Sequence, residues 1–363
     1  MLSYWAETLF NGEEFLSSVE IIVDNGFITS ITEQPVGEDH TPLPGIVVPG
    51  LVDLQVNGGG GKLFCQEPTI ATLSAMVDAH FNYGTRHLLA TVITSDWPIL
   101  RAAAQAVADY INQGKAGVLG VHFEGPHLGS ERAGIHNKQR FVGLSDKHLA
   151  LYTQKNLGKV MVTLAPEIVP PDVIKDLVRQ GVTVSLGHSN TNYDTALAAI
   201  EAGATSVTHL FNAMSALQSR APGMVGAALA SDSLYAGIIA DGHHVHPAAI
   251  KTAVKALGEE RAYLVTDAMA HVGSEQIRFG FEDQQIVKAN GKLTVADGTL
   301  AGSCLDMQAA VKNCAVFTAV SPAAALKMAT STPARCIGLS QRVGFLKPGY
   351  PFIYHLLSNN FFA

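Results

Sequence analysis

Cysteine is scarce in this chain, with four among 363 residues. Cys65, Cys304, Cys314 and Cys336 form no C-x-x-C pair, so free thiols in a reducing cytoplasm are expected rather than a disulfide framework. Charge is sparse at 15% of residues, the formal net charge is −7, and no basic block occurs anywhere. Nucleic acid and anionic membrane surfaces are therefore not expected partners, and an anionic ligand would need a local cationic pocket. Apolar runs are interrupted by Gly, Asp, His or Asn well short of the roughly twenty residues a membrane span requires. The start of the chain lacks a charged segment followed by an apolar core and a cleavage site, so a soluble cytoplasmic protein is expected. There is no low-complexity tract.

What is present suits a sheet-centred globular protein: 47% hydrophobic residues and 34 glycines. From about Gly45 onward, short β-branched runs alternate with stretches of helical period, the pattern of parallel strands joined by crossover helices. Strands are predicted at residues 50–56, 87–93, 118–123, 160–164, 182–186, 206–208, 236–240 and 262–266. Eight is the number that closes a TIM barrel, so the predicted fold class is α/β, a (β/α)8 barrel. Helices are predicted at 70–83, 98–112, 171–180, 193–202 and 247–257, several with Pro or Asp near the start and Gly after the end. Residues 1–44 alternate with period two around turns at Asn11-Gly12 and Asn25-Gly26, which reads as a small antiparallel sheet. Residues 343–357 look like further strand returning to it. The predicted division is a small β-sandwich-like domain from residues 1–45 plus 340–363, and a barrel over 46–339. A β-hairpin excursion is expected at about 275–300, with turns at Asn290-Gly291 and Asp297-Gly298.

Four predicted strand tips carry a metal ligand or an acid/base group: Glu124, His188, His209 and Asp267. In a closed parallel barrel such tips open onto one rim, so groups remote in sequence can meet around one cation. His188 and His209 are one strand-helix-strand repeat apart, which makes their strands neighbours. Glu124 can supply the third ligand, leaving a position open for water. Asp267 would hang over that pocket, ionised beside a cation and able to take a proton from water. At the first strand tip Gln55 and Asn57 point to one side, where a two-metal site would want imidazoles. Neutral amides are weak ligands for zinc-like ions, so one metal is expected, with Gln55 and Asn57 as a second-metal remnant or water contacts.

Longer fragments extend the pattern. Pro49-Gly50-Leu51-Val52-Asp53, His122-Phe123-Glu124-Gly125-Pro126-His127, Ala133-Gly134-Ile135-His136, Leu186-Gly187-His188-Ser189, Thr208-His209-Leu210-Phe211-Asn212-Ala213-Met214, Asp241-Gly242-His243-His244, Thr266-Asp267-Ala268 and Leu300-Ala301-Gly302-Ser303 follow one another across nearly the whole barrel. Together they resemble the N-acetylglucosamine-6-phosphate deacetylase family of the amidohydrolase superfamily. The resemblance implies that Glu124, His188 and His209 bind one essential divalent metal per subunit, zinc first, with iron(II), cobalt or manganese also suited to the ligand set. It implies Asp267 as general base and then acid, and His136 gripping the acetyl carbonyl. It further implies Arg220 as a phosphate-binding guanidinium, with Asn212, the backbone N–H of Ala213, and His244 as substrate contacts. A homodimer is implied as well, because the family's phosphate end lies near a subunit boundary.

The implied reaction is hydrolysis of N-acetyl-D-glucosamine 6-phosphate to D-glucosamine 6-phosphate and acetate. Two alternatives stand beside it: the same reaction on N-acetylgalactosamine 6-phosphate, and, from a different class, a non-catalytic phosphosugar-binding sensor. The closing segment departs from the family pattern, with Pro351-Phe352-Ile353-Tyr354-His355 and Asn359-Asn360-Phe361-Phe362 where relatives carry an Ala-Asp-Leu-Val strand. That departure bears on the packing of the small sheet, not on the rim.

Overall fold

The computed structural model describes residues 1–33 and 39–363. Its centre is an eight-stranded parallel sheet whose strands lie in sequence order: Leu51–Val56, Thr85–Ile93, Val118–Glu124, Lys159–Leu164, Thr183–Leu186, Ser206–Val207, Tyr235–Ile238 and Ala262–Leu264. A parallel bridge from Val56 to Ala268, with the Asp267 N–H donating to the Gln55 carbonyl at 3.0 Å, joins the last strand's exit to the first and rounds the sheet into a barrel. These strands are buried on both faces, as the barrel requires, which is why they read as continuous apolar runs rather than alternating ones.

Helices follow where the sequence supplies caps. Ile70–Phe81 starts with the Thr69 hydroxyl accepting from the Thr72 N–H, and Tyr193–Glu201 starts with Asn192 accepting from Thr195. Trp97–Asn112, Pro171–Arg179 and Pro247–Leu257 carry proline in the first turn. Further helices at Asp146–Tyr152, Gly223–Ala230, Met307–Thr318, Pro322–Lys327 and Ser331–Cys336 had no predicted counterpart. Gly223–Ala230 is apolar on nearly every side and buried, so it shows no stripe to read.

The terminal segments form one sheet of five strands rather than two facing layers, ordered Tyr354–Leu357, Thr41–Pro49, Leu2–Phe10, Phe15–Asp24, Phe27–Glu33. It is mixed, not antiparallel throughout: Leu2–Phe10 pairs in parallel with Thr41–Pro49. Ala6, Leu9, Val19, Ile21, Val23, Ile28, Leu43, Val47 and Leu346 make its own core. Of the strand expected over 343–357, only Tyr354–Leu357 forms. Upstream, Pro348 and Gly349, the latter at φ +89°, break the ladder, and the segment instead bridges to Ile28 through single backbone hydrogen bonds. The divergent residues pack: Phe352 stacks on Tyr354 at 4.6 Å, and His355 hydrogen-bonds Gln308 at 2.7 Å. The excursion is a three-stranded antiparallel sheet, Arg278–Phe281, Gln284–Ala289 and Lys292–Thr294. Asn290 and Gly291 both have positive φ in its second turn, the backbone a two-residue type I′ hairpin needs.

Candidate active site

At the C-terminal rim the four tip residues meet. Glu124 ends the third strand; His188, His209 and Asp267 stand just past the fifth, sixth and eighth. The chain turns sharply at three of these points, and His188, His209 and Asp267 have left-handed backbones with φ of +47°, +34° and +51°. Such torsions cost non-glycine residues on the order of 1–3 kcal/mol each and persist only where the surroundings fix them.

Glu124 Oε1 lies 3.1 Å from His209 Nε2 and 3.3 Å from His188 Nε2, and the two ring nitrogens are 3.0 Å apart. The three donor atoms lie within 4.8 Å of one another, a cluster that could hold a metal ion. His188 Nδ1 is 2.9 Å from the Arg132 carbonyl, which can only accept, so that nitrogen carries the proton and Nε2 turns a lone pair on the cluster. A lone pair and a carboxylate oxygen converging beside a second imidazole fit a divalent cation of the zinc type. Burial would raise the Glu124 carboxyl, but the His188 and His209 rings outweigh it and hold the group well below the usual carboxylate range. Burial works downward on His209, yet the Glu124 carboxylate raises it above its ordinary value.

Asp267 shares the cavity. The Gln55 amide donates to both carboxylates, 2.9 Å to Glu124 Oε1 and 3.1 Å to Asp267 Oδ1, and Asn57 Nδ2 donates to Asp267 Oδ1 at 2.7 Å. The two amides therefore act here as hydrogen-bond donors. Burial, then the nearby Glu124, push the Asp267 carboxyl up to about 6. His136 is 3.8 Å through Nε2 from Glu124 Oε2, and burial, then His188, lower its ring to about 3.

A cavity of about 220 Å³ opens over these groups. The buried Asn57, Glu124, His136, His188, His209 and Asp267 line it together with the half-buried Asn212, Ala213 and His244. His244 Nδ1 is 2.6 Å from Asp241 Oδ2, a pairing that fixes the ring and that sequence reasoning did not assign, although Asp241 stands in a recognisable fragment. Thr299, Leu300 and Gly302 at the base of the excursion also line it, pinned where the Ser303 N–H donates to the Asp267 carbonyl at 2.9 Å. Arg220 lies elsewhere: it is exposed and lines a neighbouring open cleft with Arg132, Asn192 and Gln218. Thr94, just past the second strand, meets the His136 ring, and it too was not singled out from the sequence.

The chain matches a family model, that of the amidohydrolase family, over residues 46–357. The chain belongs to the amidohydrolase family. It is thus a hydrolytic enzyme. Among amidohydrolase relatives, the N-acetylgalactosamine-6-phosphate deacetylase of Shewanella sp. (strain ANA-3) is 48% identical over 293 residues, 81% of this chain and 74% of that one. The N-acetylglucosamine-6-phosphate deacetylase of Haemophilus influenzae is 34% identical over 303 residues, 83% and 79% of the two chains. Among solved structures, the N-acetylglucosamine-6-phosphate deacetylase of Pasteurella multocida superposes with a TM-score of 0.95 at 33% identity, covering 99% of this chain and 96% of that one. An aspartate-to-alanine mutant of the Mycobacterium smegmatis enzyme, in complex with N-acetyl-D-glucosamine-6-phosphate, superposes with a TM-score of 0.92 at 28% identity over 99% and 96%. No helix among the described residues is long and apolar enough to cross a membrane.

Proposed function

We propose that this amidohydrolase removes the acetyl group of N-acetyl-D-glucosamine 6-phosphate, giving D-glucosamine 6-phosphate and acetate. The observation that carries this reading is the meeting of the Glu124, His188 and His209 donor atoms with the Asp267 carboxyl in one cavity. Glu124, His188 and His209 would hold one divalent metal, zinc by preference of the ligand set, which when bound acidifies water and polarises an amide carbonyl.

Asp267 takes a proton from the attacking water as its oxygen bonds to the acetyl carbon. The tetrahedral carbon then carries an oxyanion, which the His136 ring lining the same cavity would stabilise. An amide nitrogen cannot leave as an anion, so Asp267 returns the proton to nitrogen as the carbon–nitrogen bond breaks. One carboxyl therefore serves as base and then acid, and its raised affinity for protons suits both steps. Asn57 and Gln55 hold that carboxyl by its Oδ1.

The half-buried lining residues Asn212, Ala213 and His244 suit the sugar phosphate. Arg220 stands outside its own chain's cavity, so its role as a phosphate ligand goes together with a homodimer in this proposal. The 48% identity to the Shewanella enzyme favours a second reading, the same reaction on the galacto epimer. Acetate release by metal-loaded protein, measured as kcat/KM on both phosphorylated epimers, tests both. A gluco preference supports the first reading and a galacto preference the second, because a misplaced hydroxyl leaves a pocket group unpaired. Phosphosugar binding with no acetate from either would leave a sensor.

A further inference from the structure

The buried His136 ring faces one group on each side. Its Nδ1 is 2.9 Å from Thr94 Oγ1, and its Nε2 is turned toward Glu124 Oε2. Thr94 Oγ1 is also 3.2 Å from the Glu124 carbonyl oxygen. Thr94 is 2% exposed and does not line the cavity, so solvent gives its hydroxyl no alternative partner. Gly125 makes the contact possible: a Cβ there would lie 2.1 Å from Thr94 Oγ1.

A hydroxyl has a single proton, and two arrangements can use it. In the first, Thr94 donates to the Glu124 carbonyl and accepts from Nδ1–H, which leaves a lone pair on Nε2 aimed at a carboxylate. That pairing is repulsive, and it gives the ring no hydrogen to offer an oxygen in the cavity. In the second, Thr94 donates to Nδ1, and Nε2–H faces both the carboxylate and the cavity. The 2.9 Å contact between Thr94 and Nδ1 is kept in either arrangement, so the choice falls to Glu124 Oε2, 3.8 Å opposite Nε2, which attracts a proton there and leaves Nδ1 to accept from the hydroxyl. A neutral imidazole carries one proton on one of its two nitrogens, so the tautomer decides what the ring can do.

We propose that Thr94 is a positioning residue that holds His136 in its Nε2–H tautomer, making the ring a donor to the substrate's carbonyl oxygen. The donor role rests on the function proposed above; the tautomer does not. Ring nitrogen shifts of 15N-histidine-labelled, zinc-loaded protein read the tautomer directly, with the His136 signals identified by their loss in His136→Gln. Protonated Nε2 and bare Nδ1 are expected in the wild type and in Thr94→Ser, and a mixture or reversal in Thr94→Val. Zinc content should stay the same in all three. In turnover, Thr94→Val should lower kcat about tenfold or more with KM within about twofold, less than the ~10²–10³ seen when an oxyanion donor is lost outright. Thr94→Ser should restore most of it, and in a His136→Gln background Thr94→Val should add no further loss. A wild-type ring protonated at Nδ1, or an equal loss of kcat in both backgrounds, overturns the proposal. The wild-type spectrum decides even if Thr94→Val does not fold. A wild type without deacetylase activity would remove the proposed function and leave the tautomer assignment standing.

Discussion

The terminal sheet and the barrel rim are equally shielded from water but are held by different forces. In the sheet the buried residues are apolar, among them Leu9, Val19, Ile21 and Val47, and the Asn25-Gly26 turn places residues that tolerate positive φ where the backbone needs it. At the rim the buried residues are Glu124, His136, His188, His209 and Asp267, satisfied largely by one another. Left-handed torsions there fall on histidine and aspartate, whose Cβ makes them costlier than at glycine. One region is stabilised by transferring apolar surface from water, the other by interlocking groups whose geometry is costly unless complete. Substitutions in the sheet should therefore change stability without touching chemistry, and substitutions at the rim the reverse.

The largest effect expected is from stripping the metal with a chelator, which should take acetate release below detection, with activity returning on addition of zinc. Activity unchanged after verified metal loss would break the contrast at its root. Next, Asp267→Asn should lower kcat by roughly a hundredfold or more while metal content and ligand binding persist; near-normal turnover would strip Asp267 of its role. On the other side of the comparison, Ile21→Ala should cost about 2–5 kcal/mol in denaturant unfolding, with kcat/KM of the folded protein unaltered. A matching fall in kcat/KM would show that the two regions are coupled. Smallest, Gln55→Leu removes the amide shared by the two carboxylates. Metal affinity measured by competition should weaken about tenfold to a hundredfold, as for other groups that orient a ligand. No change would mean that Asn57 and the histidines suffice.

Much of this contrast could be read from residue order. The eight barrel strands lie within three residues of their predicted bounds, because runs such as His87 to Ile93 are buried on both faces and are cut off by Gly, Asp or His. The tip residues were legible for a geometric reason: parallel strands in a closed barrel bring their ends to one rim wherever they lie in sequence. The parallel pairing of Leu2–Phe10 with Thr41–Pro49 was not legible, since strand direction is a property of the assembled sheet. Thr94 was hidden for another reason. After Val92 and Ile93 a threonine reads as one more β-branched strand residue, and only the fold brings the His136 loop to its hydroxyl. Arg220 was legible as a residue type, but its place outside its own cavity depends on how the loop after Met214 runs.

The three-stranded excursion leaves the barrel after Asp267 and comes back to hydrogen-bond that residue's own carbonyl through Ser303. An insertion whose ends are already stapled together can lengthen at little thermodynamic expense, since doubling a loop adds only about 0.6 kcal/mol of closure entropy. The excursion is in that sense modular: its strands can lengthen or shorten while its base keeps the pocket wall at Thr299, Leu300 and Gly302 and the neighbouring acid in register.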